Sequence, residues 1–234
     1  LENPKYGSVS EAYNKWKEYL NQFGFGKKLG IELTNELSGL VPSPAYFDKY
    51  YGRNKWKALT VISMSIGQGE IETTPLQMAN MTAAIANKGY YYIPHIVRSI
   101  GENKSIDQKF LTKQVINIDT SLFRPIIDGM EAAVNGGGGA TATVAALKDI
   151  TVCGKTGTAQ NPHGKDHSVF VAFAPKEDPK IAIAVFVENA GFGATYAAPV
   201  ASLMIEKYLN GEISNKALEQ RMIELNLTAG DQER

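Results

Sequence analysis

The chain has 234 residues, of which 44% are hydrophobic and 21% charged, and its 24 basic and 24 acidic side chains give a formal net charge of zero. This composition is typical of a globular protein with a substantial core, and the balanced charge argues against nucleic acid as a partner. No apolar run approaches the roughly 18 residues of a membrane-spanning helix. The single cysteine, Cys153, excludes an internal disulfide.

The first half of the chain is predicted to contain helices separated by irregular segments. Apolar residues spaced by three and four between Glu11 and Phe23 predict an amphipathic helix. Residues 37–54 are rich in Pro, Gly, Tyr and polar side chains and are predicted to form an extended loop. Thr73 or Thr74 can cap a helix that begins at Pro75 and ends before residues 87–89. Residues 90–100 are a candidate strand or hairpin arm.

The second half of the chain predicts a sheet with helices around it. A helix over residues 121–134 and a flexible glycine-rich break over residues 135–139 precede three strands, at residues 150–159, 168–174 and 180–188. The short turn between the last two strands predicts an antiparallel hairpin. Both faces of the third strand are apolar, so helices should cover both sides, one of them formed by residues 196–209. The expected fold is therefore α/β, an antiparallel sheet flanked by helices on both faces.

The segment from Val152 to Gln160 carries the clearest chemical signal. Lys155, Thr156 and Thr158 lie in a glycine-containing run that favours the binding of a carboxylate or an oxyanion. Serine acyl-transfer enzymes combine Lys-Thr-Gly with two serine motifs. In this chain no serine lies three residues before a lysine, and none lies two residues before an asparagine. The segment therefore resembles the back half of an acyl-transfer site.

Two other interpretations of this segment remain. Gly154-Lys155-Thr156 matches the end of a phosphate-binding loop, but that motif needs a glycine where Asp149 stands and a helix that starts at the lysine. Alternatively, Lys155 is an ordinary solvated lysine on a strand.

Neighbouring residues with reactive side chains are predicted to be structural. His163, Asp166 and His167 lie on one turn, where side chains seldom converge as metal ligands, so we expect neither a metal nor a cofactor. His167 is expected to pack or to form a hydrogen bond at the rim of the site. Cys153 is expected to be a small buried core residue rather than a reactive thiol. The glycines at 136–139 are expected to form a mobile loop rather than a phosphate cradle.

Short motifs follow one another in a specific order along most of the chain. They are Phe23-Gly-Phe-Gly26, Gly39-Leu-Val-Pro42, Ile66-Gly-Gln-Gly69, Thr74-Pro-Leu-Gln77, Ala86-Asn-Lys-Gly89, the run from Cys153 to Gln160, His167 to Pro175, Val187 to Gly193 and Ala197 to Val200. This ordered set resembles the end of a class B penicillin-binding protein and is most like the penicillin-binding protein 2 group that acts in cell elongation. The similarity covers roughly residues 23–209.

The resemblance implies a D,D-transpeptidase that cross-links peptidoglycan. In that family a serine of a Ser-x-x-Lys motif attacks a D-Ala-D-Ala stem peptide, and β-lactams mimic that substrate. By motif position, Lys155 and Thr158 would be catalytic, and Thr156, Gly157 and Thr158 would bind substrate. The family's Ser-x-x-Lys and Ser-x-Asn motifs precede the region that this chain covers, so the chain alone is expected to be inactive.

The resemblance also implies an organisation for the intact protein. Residues 1–234 would form the C-terminal part of a single transpeptidase domain, with a helical lead-in (1–22), a family-like region (23–209) and a C-terminal helix and tail (210–234). The intact protein would be anchored in the inner membrane by a segment absent from this chain, with a periplasmic or extracytoplasmic catalytic domain and a glycan-polymerising partner. The alternative is a non-catalytic homologue that acts as a structural or partner-binding protein.

Overall fold

The computed structural model describes residues 5–53, 55–101 and 106–225. The chain divides into two compact units. The first comprises Leu1–Ala84 and Gly89–Ile118, and the second comprises Ile85–Lys88 and Asp119–Arg234. The tail predicted for the C-terminus lies mostly outside the described residues. Of the helices described, none combines the length and the apolar composition that crossing a bilayer requires.

The first unit is mainly helical, as the sequence predicts. A short antiparallel pair of strands, in which Tyr90 lies opposite Val115, confirms only the beginning of the strand predicted over residues 90–100. A 3-10 helix, Ile62–Ile66, follows the third helix. The elements in chain order are α1 (Val9–Gln22), α2 (Pro44–Tyr51), α3 (Ala58–Val61), α4 (Pro75–Ala86), β1 (Tyr90–Tyr91), α5 (Gln108–Leu111) and β2 (Gln114–Val115).

An aromatic cluster forms the core beneath α1 and α2. The Tyr13 ring meets the Phe47 ring edge-on at 5.4 Å between centroids and the Trp56 ring at 5.8 Å. All three side chains are buried, and the Tyr13 hydroxyl donates a hydrogen bond to the carbonyl oxygen of Pro42 at 3.0 Å. Edge-to-face aromatic pairs add to the stabilisation from burial alone. The helical periodicity of α1 therefore places Tyr13 at the centre of this unit.

Helix α2 lies where an extended loop was predicted, and that prediction is wrong. Ser43 Oγ accepts a hydrogen bond from the Tyr46 backbone N–H, and Pro44 occupies the first helical turn. This is a standard helix start. N–H groups in the first turn have no acceptor within the helix, and proline has no N–H to leave unpaired. Its signal was hidden among the tyrosines and the flanking glycine and proline residues. Burial of Phe47 in the aromatic cluster stabilises the helix.

Gln77 links the start of α4 to two preceding loops. Thr74 Oγ1 accepts from the Gln77 N–H at 3.1 Å, and Gln77 Oε1 accepts from the Thr74 N–H at 3.0 Å, a reciprocal capping box. The cap predicted at Thr73 or Thr74 is therefore at Thr74. The Gln77 side-chain amide also donates to the carbonyl oxygens of Gly24, Lys27 and Ser38 at 2.8–3.0 Å.

Replacing this buried amide should destabilise the first unit. Gln77→Leu leaves the three carbonyl oxygens without their donor, and each buried unsatisfied group costs about 1–3 kcal/mol. We expect the free energy of unfolding to fall by about 2–4 kcal/mol in urea titrations. The control is Gln108→Leu, on an exposed side chain, which should change the value by less than about 0.5 kcal/mol. Equal effects of the two substitutions would contradict this role of Gln77.

The second unit contains the predicted three-stranded sheet. The strand order is β3-β4-β5, and both pairs are antiparallel, which confirms the predicted hairpin. Three 3-10 turns, at Thr120–Leu122, Gly137–Gly139 and Thr143–Ala145, lie beside the first helix of this unit, Phe123–Asn135. The elements in chain order are α6 (Phe123–Asn135), β3 (Cys153–Ala159), β4 (His167–Ala174), β5 (Ile181–Val187), α7 (Ala197–Asn210) and α8 (Lys216–Glu224).

Small residues allow α7 to pack closely on the sheet. Phe170 and Ala172 of β4 belong to one buried cluster with Ala198, Ala201 and Ile205 of α7. Helix α6 packs against β3 and contributes Val134 to the same cluster. The α/β class and the antiparallel sheet with packed helices are confirmed.

Lys176 ties the end of β4 to α6. Its Nζ lies 2.7 Å from Asp128 Oδ1 and 2.5 Å from Glu131 Oε2. The hydrogen bond from Lys176 lowers the pKa of the Asp128 carboxyl, and the hydrogen bonds to Asp128 and Glu131 raise the pKa of Lys176 above its usual range.

These shifts predict a pH-dependent effect of Lys176→Met on stability. Because the pKa of Asp128 is lower in the folded state, its contribution is complete above the unfolded value of about 3.9 and is lost as pH falls through the folded value. Lys176 stays protonated throughout that range. Urea titrations should show wild type more stable than Lys176→Met at pH 7, with the difference narrowing towards pH 2. Lys180→Met, at a more exposed ion pair, is the control. A difference independent of pH would contradict the assignment.

Candidate active site

Strand β3 carries the predicted site residues along one edge of the sheet. Strand β4 pairs with it on one side, and within the described part of the chain no other strand pairs with its outer edge. The register places Lys155 opposite Val171 and Gly157 opposite Val169. Because Lys155 lies inside a strand rather than at the start of a helix, the phosphate-loop interpretation is excluded. An edge strand can instead accept an extended peptide through further backbone hydrogen bonds.

The side chains of Lys155 and Thr156 leave opposite faces of the strand but meet at its edge. Successive strand residues alternate between faces. The Lys155 side chain nevertheless turns back, so that its Nζ donates to the Thr156 carbonyl oxygen at 2.9 Å and lies 3.5 Å from Thr156 Oγ1. Lys155 is exposed, whereas Thr156, Gly157 and Thr158 are partly buried. A positive charge and a hydroxyl are thus presented together to solvent.

Thr141 adds a second hydroxyl that sequence reasoning missed. Thr156 Oγ1 donates to Thr141 Oγ1 at 3.3 Å across 15 positions of sequence. Thr141 is exposed and follows the glycine-rich turn Gly137–Gly139. No spacing pattern links the two threonines, so only the folded chain reveals this contact.

Two glycines of β3 leave room that the packing requires. A Cβ at Gly154 would collide with the Phe170 ring, and a Cβ at Gly157 would lie 3.3 Å from Val169 Cβ. Gly154 therefore allows Phe170 to fill the core beneath the strand. Because Gly157 has no side chain, no group projects from the strand at this position between Lys155 and Thr158.

The turn after β3 is held by polar contacts. The Asn161 side-chain amide donates to Asn189 Oδ1 at 2.6 Å, and the Asn161 N–H donates to Asp166 Oδ1 at 3.1 Å. His167 Nδ1 accepts from the Asn189 N–H at 3.0 Å, and its ring packs 5.1 Å from the Phe186 ring. His167 therefore packs and hydrogen-bonds as expected. Within the described ranges, no three His, Cys, Asp or Glu side chains are grouped closely enough to hold a metal ion.

Cys153 is a buried core residue behind the site. Its side chain is fully inaccessible, and burial, reinforced by the Glu131 carboxylate, raises the pKa of the thiol to about 12. A reactive thiol needs a lowered pKa and access to solvent, and Cys153 has neither.

The folded chain should therefore resist thiol labelling. At pH 8 a thiol of pKa about 12 is roughly 10⁻⁴ ionised, and only the thiolate reacts. We expect an aromatic disulfide reagent to leave folded Cys153 unmodified and to label it stoichiometrically in denaturant. Ser99→Cys, at an exposed position, is the control and should react rapidly in the folded state. Rapid modification of wild type under native conditions would overturn this assignment.

Comparison with known proteins defines the class. Residues 9–206 match the family described as the penicillin binding protein transpeptidase domain. Because this match covers most of the chain, the chain belongs to that family, and the resemblance found in the sequence is confirmed.

Individual relatives place it beside penicillin-binding protein 2. The peptidoglycan D,D-transpeptidase MrdA of Haemophilus influenzae is 32% identical over 220 residues, which cover 85% of this chain and 34% of that protein. The chain thus spans about one third of the length of this curated relative. The solved structure of Pseudomonas aeruginosa PBP2 in complex with WCK 5153 is similar with a TM-score of 0.76 and 32% identity, covering 88% of this chain and 47% of that one. The complex between PBP2 and MreC from Helicobacter pylori gives a TM-score of 0.70 and 28% identity, covering 85% and 36%.

Proposed function

We propose that this chain forms the carboxylate-binding half of the active site of a peptidoglycan D,D-transpeptidase. The observation that carries the proposal is the pairing of the Lys155 ammonium with the Thr156 hydroxyl at the outer edge of β3. Family membership and the D,D-transpeptidase relatives support it.

The substrate would bind as an extended peptide beside β3. The terminal carboxylate of a D-Ala-D-Ala stem peptide would accept hydrogen bonds from the Thr156 and Thr158 hydroxyls, and Lys155 would supply the countercharge. Charge-assisted hydrogen bonds to a carboxylate are roughly twice as strong as neutral ones. Gly157, without a side chain, would allow the substrate backbone to approach the strand closely.

The Thr158 N–H would act as one donor of the oxyanion hole. Peptide groups two residues apart face the same edge of a strand. The Thr158 N–H therefore faces the same side as the Thr156 carbonyl oxygen that Lys155 Nζ contacts. A donor fixed in this position stabilises the negative oxygen of a tetrahedral intermediate, and losing one such donor costs about 10²–10³ in rate.

The reaction would proceed in two acyl transfers. A serine hydroxyl attacks the penultimate D-Ala carbonyl carbon and loses its proton to a base. The peptide bond breaks, and terminal D-Ala leaves as the protonated amine. An amine of a neighbouring stem peptide then attacks the acyl ester, forms the cross-link and regenerates the serine. A β-lactam opens in the first step and remains attached to the serine.

The nucleophile would come from outside this chain. None of its 12 serines stands three residues before a lysine. The chain also covers only about one third of the H. influenzae relative. We propose that the catalytic serine lies in the remainder of the intact protein and that the chain alone is inactive.

The same proposal extends to location and partners. The intact protein would be anchored in the inner membrane by a segment other than this chain, with its transpeptidase domain outside the cytoplasm. It would work beside a glycan-polymerising enzyme that supplies the strands to be cross-linked. The solved complex of H. pylori PBP2 with MreC supports a further protein partner for the intact protein.

Intact-mass measurement with benzylpenicillin tests the proposed reaction. The intact protein should gain the mass of one penicillin, and replacement of its Ser-x-x-Lys serine by alanine should abolish that gain. The isolated chain should gain none. An intact, folded protein that forms no adduct would favour the non-catalytic homologue, and stoichiometric labelling of the isolated chain would refute its predicted inactivity.

Lys155→Ala tests the charge assigned to the site. In the intact protein we expect acylation by benzylpenicillin to slow by about 10²-fold or more, because an electrostatic contact that strengthens in the transition state is lost. Lys148→Ala, at an exposed lysine before β3, is the matched control and should leave the rate unchanged. Acylation of Lys155→Ala at the wild-type rate would exclude this role for Lys155.

A further inference from the structure

A buried hydroxyl lies on the strand next to the β3 segment assigned to substrate. Ser168 on β4 is opposite Thr158 in the register and is fully inaccessible to solvent. Its Oγ donates to the Phe192 carbonyl oxygen at 2.9 Å and accepts from the Ala197 N–H at 3.1 Å. The second bond satisfies one of the N–H groups at the start of α7, whose own cap residue, Tyr196, makes no side-chain cap bond. Ser168 thereby joins β4, the start of α7 and the segment before it.

That segment packs backbone to backbone against the β3–β4 pair. A Cβ at Gly193 would collide with the Val169 carbonyl oxygen and would lie 2.7 Å from the Gly157 carbonyl oxygen and 3.2 Å from the Gly157 nitrogen. The position of Gly193 is fixed on both sides, because its carbonyl oxygen accepts from the Ala198 N–H at 2.9 Å and the preceding carbonyl is held by Ser168. No larger residue fits there without moving the strands.

One of the atoms against which Gly193 packs, the Gly157 carbonyl oxygen, belongs to the peptide group assigned to catalysis. The Gly157 carbonyl and the Thr158 N–H are the two ends of one planar unit, so fixing one end fixes the direction of the other. Restricting the Gly157 oxygen from behind therefore orients the Thr158 N–H towards the outer edge of β3.

We propose that Ser168 is a positioning residue for this acyl-transfer site, acting through the Phe192–Gly193 segment on the Gly157–Thr158 peptide group. Ser168 touches neither substrate nor nucleophile in this role. The catalytic part of the inference rests on the proposed function, whereas the structural part does not.

The test compares Ser168→Ala with Ile205→Ala in the intact protein. Ile205 is buried in the same cluster but lies on α7, which packs against β4 and β5, so its truncation controls for loss of stability. The unfolding temperatures of both variants are measured first, and each variant is then assayed at a temperature at which it is folded. Deuterium exchange of the peptide covering β3 is then measured, followed by the separate constants for pre-covalent binding and acylation by benzylpenicillin.

Ser168→Ala should raise exchange in β3 and lower the acylation constant by about tenfold or more, with pre-covalent binding changed little, because a misplacement of about 1 Å in a catalytic group can cost up to about 10²-fold. Ser168→Thr, which keeps the hydroxyl, should restore both quantities, and Ile205→Ala should change neither. Equal behaviour of the alanine variants, or unchanged acylation despite faster exchange, would overturn the proposal. A wild-type protein that is not acylated would instead contradict the proposed function. The comparison of deuterium exchange would still decide whether Ser168 restrains the β3 backbone.

A second variant guards against a Ser168→Ala protein that does not fold. Gly193→Ala introduces a Cβ against the Val169 and Gly157 oxygens, and it should reproduce the loss of acylation with Ser168 intact. Gly138→Ala is the matched control, since a Cβ there meets nothing within 4 Å. Wild-type acylation by a folded Gly193→Ala variant would refute the role given to the Phe192–Gly193 segment.

Discussion

The pairing of β3 with β4 is the constraint on which the candidate site depends. Seven residue pairs, from Cys153 with Phe173 to Ala159 with His167, fix one register. A slip of one residue would move Lys155 to the face now occupied by Thr156 and would place Cys153 on the opposite side of the sheet. The pairing thus decides which side chains enter the core and which peptide groups face the outer edge. Lys155 and Thr156 meet at that edge because the strand order β3-β4-β5 leaves β3 as the outer strand of this sheet.

Core packing and site geometry use the same residues in this part of the chain. Phe170 fills the space beneath Gly154, and Ser168 lies opposite Thr158 on β4 and bonds to the start of α7. The small side chains of α7 let that helix approach β4 closely. Stability of the second unit and alignment of the β3 backbone therefore have a common physical origin. The first unit follows a different principle, with aromatic packing around Tyr13 and one amide, Gln77, joining three carbonyl groups.

Local patterns in the sequence predicted most of the elements near the site. The apolar run of β5 and the short turn before it predicted the antiparallel hairpin, and capping chemistry at Thr74 predicted the start of α4. Helix α2 was missed because its Ser43-Pro44 start lies in a segment with a loop-like composition, and its stability comes from burying Phe47 against residues distant in sequence. The contacts of Thr141 with Thr156 and of Gly193 with Gly157 were missed for a related reason. They join residues 15 and 36 positions apart through chain folding, and no periodicity encodes them.

The fit between Gly154 and Phe170 has a consequence for how such sequences diverge. An added methyl group at 154 and the phenyl ring at 170 would compete for one volume. Protein interiors are packed too densely to absorb that overlap without moving backbone. A lineage that acquires alanine or serine at 154 would therefore have to shrink the side chain at 170, and the two positions should covary. Sequence change in the core is thus coupled to β3, the strand that carries Lys155, although neither Gly154 nor Phe170 reaches the surface on which the candidate site lies.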